Sequence, residues 1–241
     1  MQYRTHSFSF GGADMTPAVK ILLIANIAVF LAQLVMPPSV VMLFGLVPEL
    51  VWEHFYIWQV FTYQFFHGGL FHILFNMLAL WMFGCTLERR WGTEFFLKYY
   101  FVTVIGGGIL NTLLLPHQFV PSIGASAGIY GLLMAYALIY PDQIIYFYFL
   151  FPMKMKHFVW IIGGIALYSA MASGQSGIAH LAHLGGMLFG YLYLRGLRGL
   201  PRFSLVDTYK NYRDRRRLER LKKRFHLHTG GKDRDDNRTL H

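Results

Sequence analysis

The chain has 241 residues, of which 55% are hydrophobic and only 14% are charged, whereas a soluble domain carries about 25% charged residues. Residues 195–241 hold 15 of the 22 Lys and Arg residues and 6 of the 12 Asp and Glu residues, so the rest of the chain has too few charges to cover a soluble surface. The composition therefore excludes a soluble globular enzyme and a disordered or collagen-like chain. It predicts a protein with several membrane spans.

Six apolar stretches are long enough, or nearly so, to cross a bilayer as helices. They lie at residues 18–36, 70–87, 95–115, 123–140, 156–173 and 177–194. The predicted fold class is all-α, a membrane bundle of six transmembrane helices. A long outer loop, 37–69, rich in Trp, Tyr and Phe, joins helices 1 and 2. The short apolar run Ile144–Pro152 is expected to lie at the membrane interface.

Basic residues are confined to alternate connections. Those before the tail are Arg4, Lys20, Arg89, Arg90, Lys98, Lys154 and Lys156. The loops 37–69, 116–122 and 174–176 contain no Lys or Arg. By the positive-inside rule, both termini are predicted to be cytoplasmic, in a multi-pass protein that we expect in a bacterial inner membrane.

Three segments follow from this pattern. They are a cytoplasmic N-terminal segment (1–17), a six-helix domain (18–195) and a basic, partly disordered cytoplasmic tail (196–241). The tail either lies on anionic lipid as a basic amphipathic helix or is a solvated charge run that reinforces the orientation. Because the tail carries nearly all of the net charge of +10, no nucleic-acid partner is expected.

The fourth stretch opens with Gly-Ala-Ser-Ala-Gly at Gly124–Gly128. A small-residue face for helix packing would also explain this pattern. Ser126, however, is predicted about three residues into the helix, where free N–H groups and the helix dipole favour developing negative charge. That position suits a serine nucleophile.

The sixth stretch opens with His180-Leu-Ala-His183-Leu-Gly-Gly186. His183 lies at a depth compatible with contact to Ser126 if the two helices cross closely, and Gly186 and Gly190 are spaced for such an approach. A neutral imidazole there suits acceptance of the serine proton. Since no Asp or Glu lies at this depth, the sequence predicts a Ser126–His183 dyad without a third member.

His72 and Asn76 form an i,i+4 pair of hydrogen-bond donors on one face of the second stretch. They belong either to the same site or to a helix–helix contact. Together with His67, His180 and His183, His72 also permits an alternative, a membrane protein with a bis-histidine haem. That alternative leaves the Gly-Ala-Ser-Ala-Gly segment unexplained.

Three further features have simpler interpretations. The polar segment Ala172–Gly177 is expected to cap and uncap the site, and Glu88–Arg90 to anchor the helix at the cytoplasmic side without a catalytic role. Cys85, the one cysteine, is expected to be a small buried side chain. With one cysteine and no His-Glu-x-x-His, neither a metal site nor a cofactor is expected.

Jointly these residues resemble the rhomboid family of intramembrane serine proteases over residues 18–195. The match includes GASAG with Ser126, AHLGG with His183, HILFN with His72 and Asn76, and the helix order with a long aromatic outer loop. The resemblance implies Ser126 as nucleophile and His183 as general base. It implies the His72 and Asn76 side chains and the Ser126 N–H as an oxyanion hole.

The resemblance also assigns supporting roles. Tyr130 is the ring on which His183 packs, and Gly124 lets substrate backbone approach. The family often has Trp-Arg where this chain has Trp58-Gln59, which leaves the anchoring of the outer loop open, and often Gly where this chain has Ala127.

The implied substrates are single-span membrane proteins whose helix unwinds near small or helix-breaking residues. They are expected to pass laterally between the fifth and second spans. An inactive rhomboid-like protein that only binds membrane proteins is the alternative, although such proteins lack the serine or the histidine.

Overall fold

The computed structural model describes residues 14–147, 151–172 and 178–198, and its backbone is predominantly helical, as predicted. The helices are α1 (Pro17–Gln33), α2 (Ser39–Phe44), α3 (Pro48–Glu53), α4 (Gln59–Thr62), α5 (Leu70–Ala79), α6 (Cys85–Trp91), α7 (Thr93–Leu114), α8 (Ser126–Ile139), α9 (Met155–Ala172) and α10 (Ile178–Arg198). A 3-10 turn, Tyr63–Phe65, follows α4, and a π-helical turn, Leu80–Gly84, joins α5 to α6. The predicted cap Ala172–Gly177 lies almost entirely outside the described residues, as does nearly all of the basic tail.

Each predicted apolar stretch contains one long helical segment. Within the described ranges, Leu70–Trp91, Thr93–Leu114 and Met155–Ala172 are long and apolar enough to cross a membrane. α1 and α8 are shorter apolar helices of 17 and 14 residues, and α10 has 21 residues with arginines near its end. The chain is therefore an integral membrane protein with three clear candidate spans.

The connection 37–69, predicted as one long loop, is partly helical. It contains the three short helices α2, α3 and α4 and the 3-10 turn. An isolated β-bridge pairs Leu46 with Ser122, with N–H···O distances of 2.9 and 2.8 Å between their backbones. The connection is therefore tied to the segment that leads into α8.

Gln59 anchors this connection from within. Its side chain is fully buried; Oε1 accepts a hydrogen bond from the Val47 N–H at 2.9 Å, and Nε2 donates to the Met42 carbonyl at 2.8 Å. Beside it, the Trp58 indole N–H donates to the Leu43 carbonyl at 2.9 Å. The amide thus satisfies backbone groups that would otherwise be buried without partners.

The run around Ile144–Pro152 forms a small antiparallel hairpin, which the apolar composition alone did not predict. Strands β1 (Ile144–Phe147) and β2 (Phe151–Lys154) pair in register, with Ile144 opposite Lys154. Along β1, Ile145 is buried whereas Ile144 and Tyr146 are half exposed. This alternation of buried and exposed residues is typical of a strand. The exposed residues form an apolar face, which fits the position at the membrane interface that the sequence predicts for this run.

The base of the hairpin is closed by an ion cluster. Asp142 Oδ1 lies 3.3 Å from Lys154 Nζ and 3.0 Å from Lys156 Nζ. The hydrogen bond from Lys156 is the largest influence that lowers the pKa of the Asp142 carboxyl, against an opposing effect of burial. These charges lie at the same connection whose lysines predicted the orientation.

α7 packs against both α8 and α10. Gly107 of α7 makes this approach close, because a Cβ there would lie 2.7 Å from the Ala182 carbonyl oxygen and 2.8 Å from Ala127 Cβ. Small residues let helix backbones come together without the hydrophobic driving force that acts in water. The three helices therefore approach one another closely at Gly107.

Glu88, which was expected only to anchor its helix at the cytoplasmic side, is a buried residue that caps another helix. It is only 3% exposed, and its carboxylate accepts hydrogen bonds from the backbone N–H groups of Ala18 and Val19 at 2.9 and 3.0 Å. It also accepts one from Thr93 Oγ1 at 2.7 Å. The free N–H groups at the start of α1 are thus capped from 70 positions away in the chain. Arg89 and Arg90 are exposed, and Cys85 is buried as predicted.

Replacing Glu88 with Ala should lower the free energy of unfolding by about 3 kcal/mol, because two buried backbone N–H groups and the Thr93 hydroxyl lose a charged acceptor. Unfolding in detergent micelles by SDS titration, followed by circular dichroism, measures this loss. Glu94→Ala is the matched control, since Glu94 pairs with Lys98 at the exposed surface, and its unfolding midpoint should stay at the wild-type value. Equal midpoints for the two variants would contradict the capping role.

Candidate active site

Ser126 is the first residue of α8, not the third as the sequence predicted. Gly124 adopts φ +124°, a conformation that side chains rarely allow, and its N–H donates to the Tyr63 carbonyl at 3.0 Å. The chain therefore turns sharply at Gly124 and the helix starts later. At this first position the Ser126 N–H has no intrahelical acceptor and is free for another partner.

Ser126 and His183 are in contact. The serine Oγ lies 2.6 Å from His183 Nε2, across 57 positions of sequence. His183 is the sixth residue of α10. The Nδ1 atom of His183 is buried and has no hydrogen-bond partner among the described residues. Within that part of the chain, no third side chain hydrogen-bonds to the imidazole of the Ser126–His183 pair.

The contact depends on the close packing of α8 and α10. A Cβ on Gly186 would fall directly on the Ala127 carbonyl oxygen, so only glycine permits this separation of the helices. Gly190, predicted to share that contact, faces α7 instead, where its Cβ would fall on Tyr99 Oη. The two glycines lie four residues apart on nearly the same side of α10, but they meet different helices.

Tyr130 stabilises the orientation of the imidazole. Its ring stacks on His183 with centroids 4.3 Å apart and planes 8° from parallel. His180 contacts the same ring edge-on, with centroids 5.9 Å apart. A ring held between two aromatic neighbours keeps Nε2 directed at Ser126.

His72 and Asn76 converge on Gly124. A Cβ at Gly124 would lie 2.7 Å from His72 Nε2 and 3.6 Å from Asn76 Nδ2. The Nδ2 atom of Asn76 is buried and has no partner among the described residues. Two side-chain nitrogens therefore flank the glycine two residues before Ser126, where a substrate carbonyl could lie against the backbone.

His67 is the residue whose importance the sequence reasoning underestimated. It is fully buried, contacts the His72 ring edge-on at 5.1 Å, and has no partner for either ring nitrogen among the described residues. Burial, and then the proximity of His72, lowers the pKa of His67 to about 4, so its ring is neutral at physiological pH. Its position at the boundary between the aromatic connection 37–69 and the apolar helix α5 was the available signal.

Gln33 also escaped the sequence reasoning. It is the last residue of α1, and its side-chain amide pairs with the backbone of His67: Nε2 donates to the carbonyl at 2.8 Å, and the N–H donates to Oε1 at 3.1 Å. A polar residue ending an apolar stretch is weak evidence of a role, because such residues also mark the membrane surface.

The geometry does not fit a bis-histidine haem. Haem ligation needs two imidazole nitrogens that face each other across the macrocycle. His183 Nε2 is occupied by the Ser126 hydroxyl at 2.6 Å, and its ring face is covered by Tyr130. His67 is fully buried and packed on His72, which leaves no slot for a planar group between these rings.

The site pairs a hydroxyl with a base, and hydrogen-bond donors lie nearby. A hydroxyl 2.6 Å from an imidazole nitrogen is activated for attack when the imidazole takes its proton. Donors beside Gly124 suit an oxygen that gains negative charge. This combination supports acyl transfer, the reaction class in which both features are needed.

Gly186→Ala should lower the free energy of unfolding by about 2 kcal/mol or more, because the added methyl must push α10 away from the Ala127 backbone. Gly164→Ala in α9 is the matched control, since nothing lies within 4 Å of a Cβ there. SDS titration of both variants in micelles measures the difference. A Gly186→Ala variant as stable as Gly164→Ala would show that the two helices are not in backbone contact.

Comparison with known proteins identifies the family to which this chain belongs. The Rhomboid domain model matches residues 54–199. Rhomboid protease GluP of Bacillus subtilis is 34% identical over 145 residues, which are 60% of this chain and 27% of that protein. Mitochondrial Rhomboid protein 1 of Saccharomyces cerevisiae is 32% identical over 135 residues, 54% of this chain and 38% of that protein.

A third relative matches over a longer region. Rhomboid protease GlpG of Klebsiella pneumoniae is 32% identical over 179 residues, 72% of this chain and 60% of that protein. The chain thus spans between 27% and 60% of the lengths of these three relatives. Since the domain model covers more than half of the chain and includes both segments that meet at Ser126 and His183, the chain belongs to the rhomboid family.

Proposed function

We propose that this chain is an intramembrane serine endopeptidase, which hydrolyses peptide bonds in or near the transmembrane segments of membrane proteins. The observation that carries the proposal is the 2.6 Å contact between Ser126 Oγ and His183 Nε2. Two of the relatives described above are named rhomboid proteases, which supports the same activity.

The reaction proceeds in two steps. Ser126 Oγ attacks the peptide carbonyl as His183 Nε2 takes its proton, and the tetrahedral intermediate expels the amine, which receives that proton. Water then attacks the acyl-serine ester, giving its proton to His183 Nε2, and the carboxylic acid leaves as Ser126 regains its hydrogen. In both steps the oxyanion accepts hydrogen bonds from His72 Nε2, Asn76 Nδ2 and the Ser126 N–H.

The substrate is a single-span membrane protein presented as an extended segment beside Gly124. A peptide carbonyl in an intact helix is already hydrogen-bonded and shielded, so the segment must unwind before Ser126 attacks. The face of α5 toward the bilayer carries exposed Leu70, Phe71, Leu74 and Phe75, and α9 is also largely exposed. Substrate passes between these two apolar helices.

We further propose that all six long helical segments cross the bilayer, with both termini in the cytoplasm of a bacterial cell. The basic side chains of Arg89, Arg90 and Lys98 lie at the connection of α6 to α7, and Lys154 and Lys156 at that of α8 to α9. The domain comprises residues 18–195, flanked by the cytoplasmic segments 1–17 and 196–241. The site then opens to the outer face, where water is available.

Cleavage of a model single-span substrate in proteoliposomes tests the activity. Ser126→Ala and His183→Ala should each lower kcat at least about 10³-fold, because a serine and its base act as one unit. Ser122→Ala and His117→Ala are matched controls, since both lie on the connection before α8 and neither contacts the Ser126–His183 pair; both should cleave at wild-type rates. Undiminished cleavage by Ser126→Ala would assign the reaction to another residue.

A fluorophosphonate probe separates the chemistry from the choice of substrate. The wild type should be labelled covalently at Ser126, and Ser126→Ala and His183→Ala should not, because labelling needs an activated hydroxyl. Mass spectrometry of the labelled peptide identifies the serine. A wild type that neither reacts with the probe nor cleaves any of several substrates would favour the inactive, binding homologue.

Cysteine accessibility tests the orientation. In a Cys85→Ala background the chain has no other cysteine, so one introduced at position 117 or at position 142 gives a unique label. In intact cells a membrane-impermeant maleimide should label His117→Cys but not Asp142→Cys, as the positive-inside rule predicts. Labelling of Asp142→Cys alone would invert the orientation.

A further inference from the structure

A chain of hydrogen bonds leads from the end of α1 to the His72 ring. The amide of Gln33 donates from Nε2 to the His67 carbonyl oxygen at 2.8 Å. The N–H of the same peptide unit belongs to Gly68, and it donates to His72 Nδ1 at 3.2 Å. One peptide plane is therefore held at both ends, by α1 on one side and by the imidazole on the other.

The direction of the last hydrogen bond determines the tautomer of His72. A backbone N–H can only donate, so Nδ1 must accept and carries no proton. In a neutral imidazole the one ring proton then resides on Nε2. Nε2 is the atom that lies against Gly124, 2.7 Å from the place of a Cβ there, so the donor faces the segment that ends at Ser126.

The ring also has little freedom to turn over. A half-turn about its bond to Cβ would replace Nδ1 by a carbon and leave the Gly68 N–H without its acceptor. His67 contacts the ring edge-on, with centroids 5.1 Å apart and planes 70° from parallel, and is itself fully buried. The backbone of His67 is in turn held in two directions by Gln33, which accepts from its N–H at 3.1 Å.

We propose that Gln33 and the peptide unit joining His67 to Gly68 are positioning groups, which hold His72 in the tautomer whose Nε2–H faces the reacting carbonyl. This inference rests on the proposed function, in which His72 donates to the oxyanion. Donation by Gln33 to the His67 carbonyl polarises this peptide unit and strengthens the hydrogen bond from the Gly68 N–H to His72 Nδ1. The end of α1, which touches no substrate, thereby influences the oxyanion donor.

Substitutions at Gly68 separate the hydrogen bond from the space around it. Gly68→Pro deletes the N–H, whereas Gly68→Ala keeps it, and a Cβ there meets His72 Nδ1 at an ordinary 3.6 Å. The kcat of Gly68→Pro should be about tenfold below that of Gly68→Ala, the factor that corresponds to one hydrogen bond, with KM unchanged. A purely structural defect would instead lower the stability and the amount of folded enzyme.

The same comparison in a His72→Ala background completes a double-mutant cycle. If Gly68 acts through His72, the tenfold ratio between the Pro and Ala variants should disappear when the imidazole is absent. A ratio that persists in this background overturns the proposal. Gln33→Leu should follow the same rule, with a loss of kcat in the wild-type background that vanishes with His72→Ala.

A spectroscopic measurement tests the tautomer without catalysis. In the Ser126→Ala protein with 15N-labelled His and Gly, a spectrum assigned against His72→Gln should show an unprotonated Nδ1 and a coupling through the hydrogen bond to the Gly68 amide nitrogen. A proton on Nδ1, or no coupling, overturns the proposal. Because this readout needs neither cleavage nor a Pro variant, it decides the inference even if the wild type cuts nothing or Gly68→Pro does not fold.

Discussion

The backbone contact between α8 and α10 is the constraint on which the rest of the site depends. Gly186 lies against the Ala127 carbonyl so closely that any side chain would separate the helices. This contact is one residue from Ser126 and one turn from His183, so the distance between hydroxyl and imidazole follows from it. In a bilayer, where burial of apolar surface does not drive helices together, close packing of small residues must supply much of this association.

Long-range capping by side chains is the second organising principle. Glu88 caps the start of α1, Gln59 pairs with backbone groups of the connection 37–69, and Gln33 pairs with both backbone groups of His67. In each case a carboxylate or an amide satisfies peptide groups that have no partner of their own in an apolar surrounding. These three contacts fix the connections between helices relative to the helices, which a site built from loop ends requires.

The backbone conformation at Gly124 determines how the polar groups of the site are arranged. Because the chain turns sharply at Gly124, Ser126 is the first residue of α8. Gly124 has no side chain, and the His72 and Asn76 side chains approach the place that a Cβ would occupy there. The His67 ring, neutral and buried, packs against His72 rather than serving as another acid or base. The three histidines thus have different surroundings: His183 contacts the Ser126 hydroxyl, His72 lies against Gly124, and His67 packs on His72.

The sequence by itself determined where the long apolar helices lie and which residue types form the candidate site. Apolar stretches of bilayer length locate the helices because a span must satisfy its own backbone, and the serine, histidine and asparagine motifs are local. Only the tertiary structure decided that α8 starts at Ser126, that Gly190 faces α7 while Gly186 faces α8, and that Glu88 caps α1. The hairpin was likewise missed, because its short apolar run has the composition of a buried helix as much as of a strand. Contacts between residues 57 or 70 positions apart depend on how helices cross, and no local periodicity encodes a crossing.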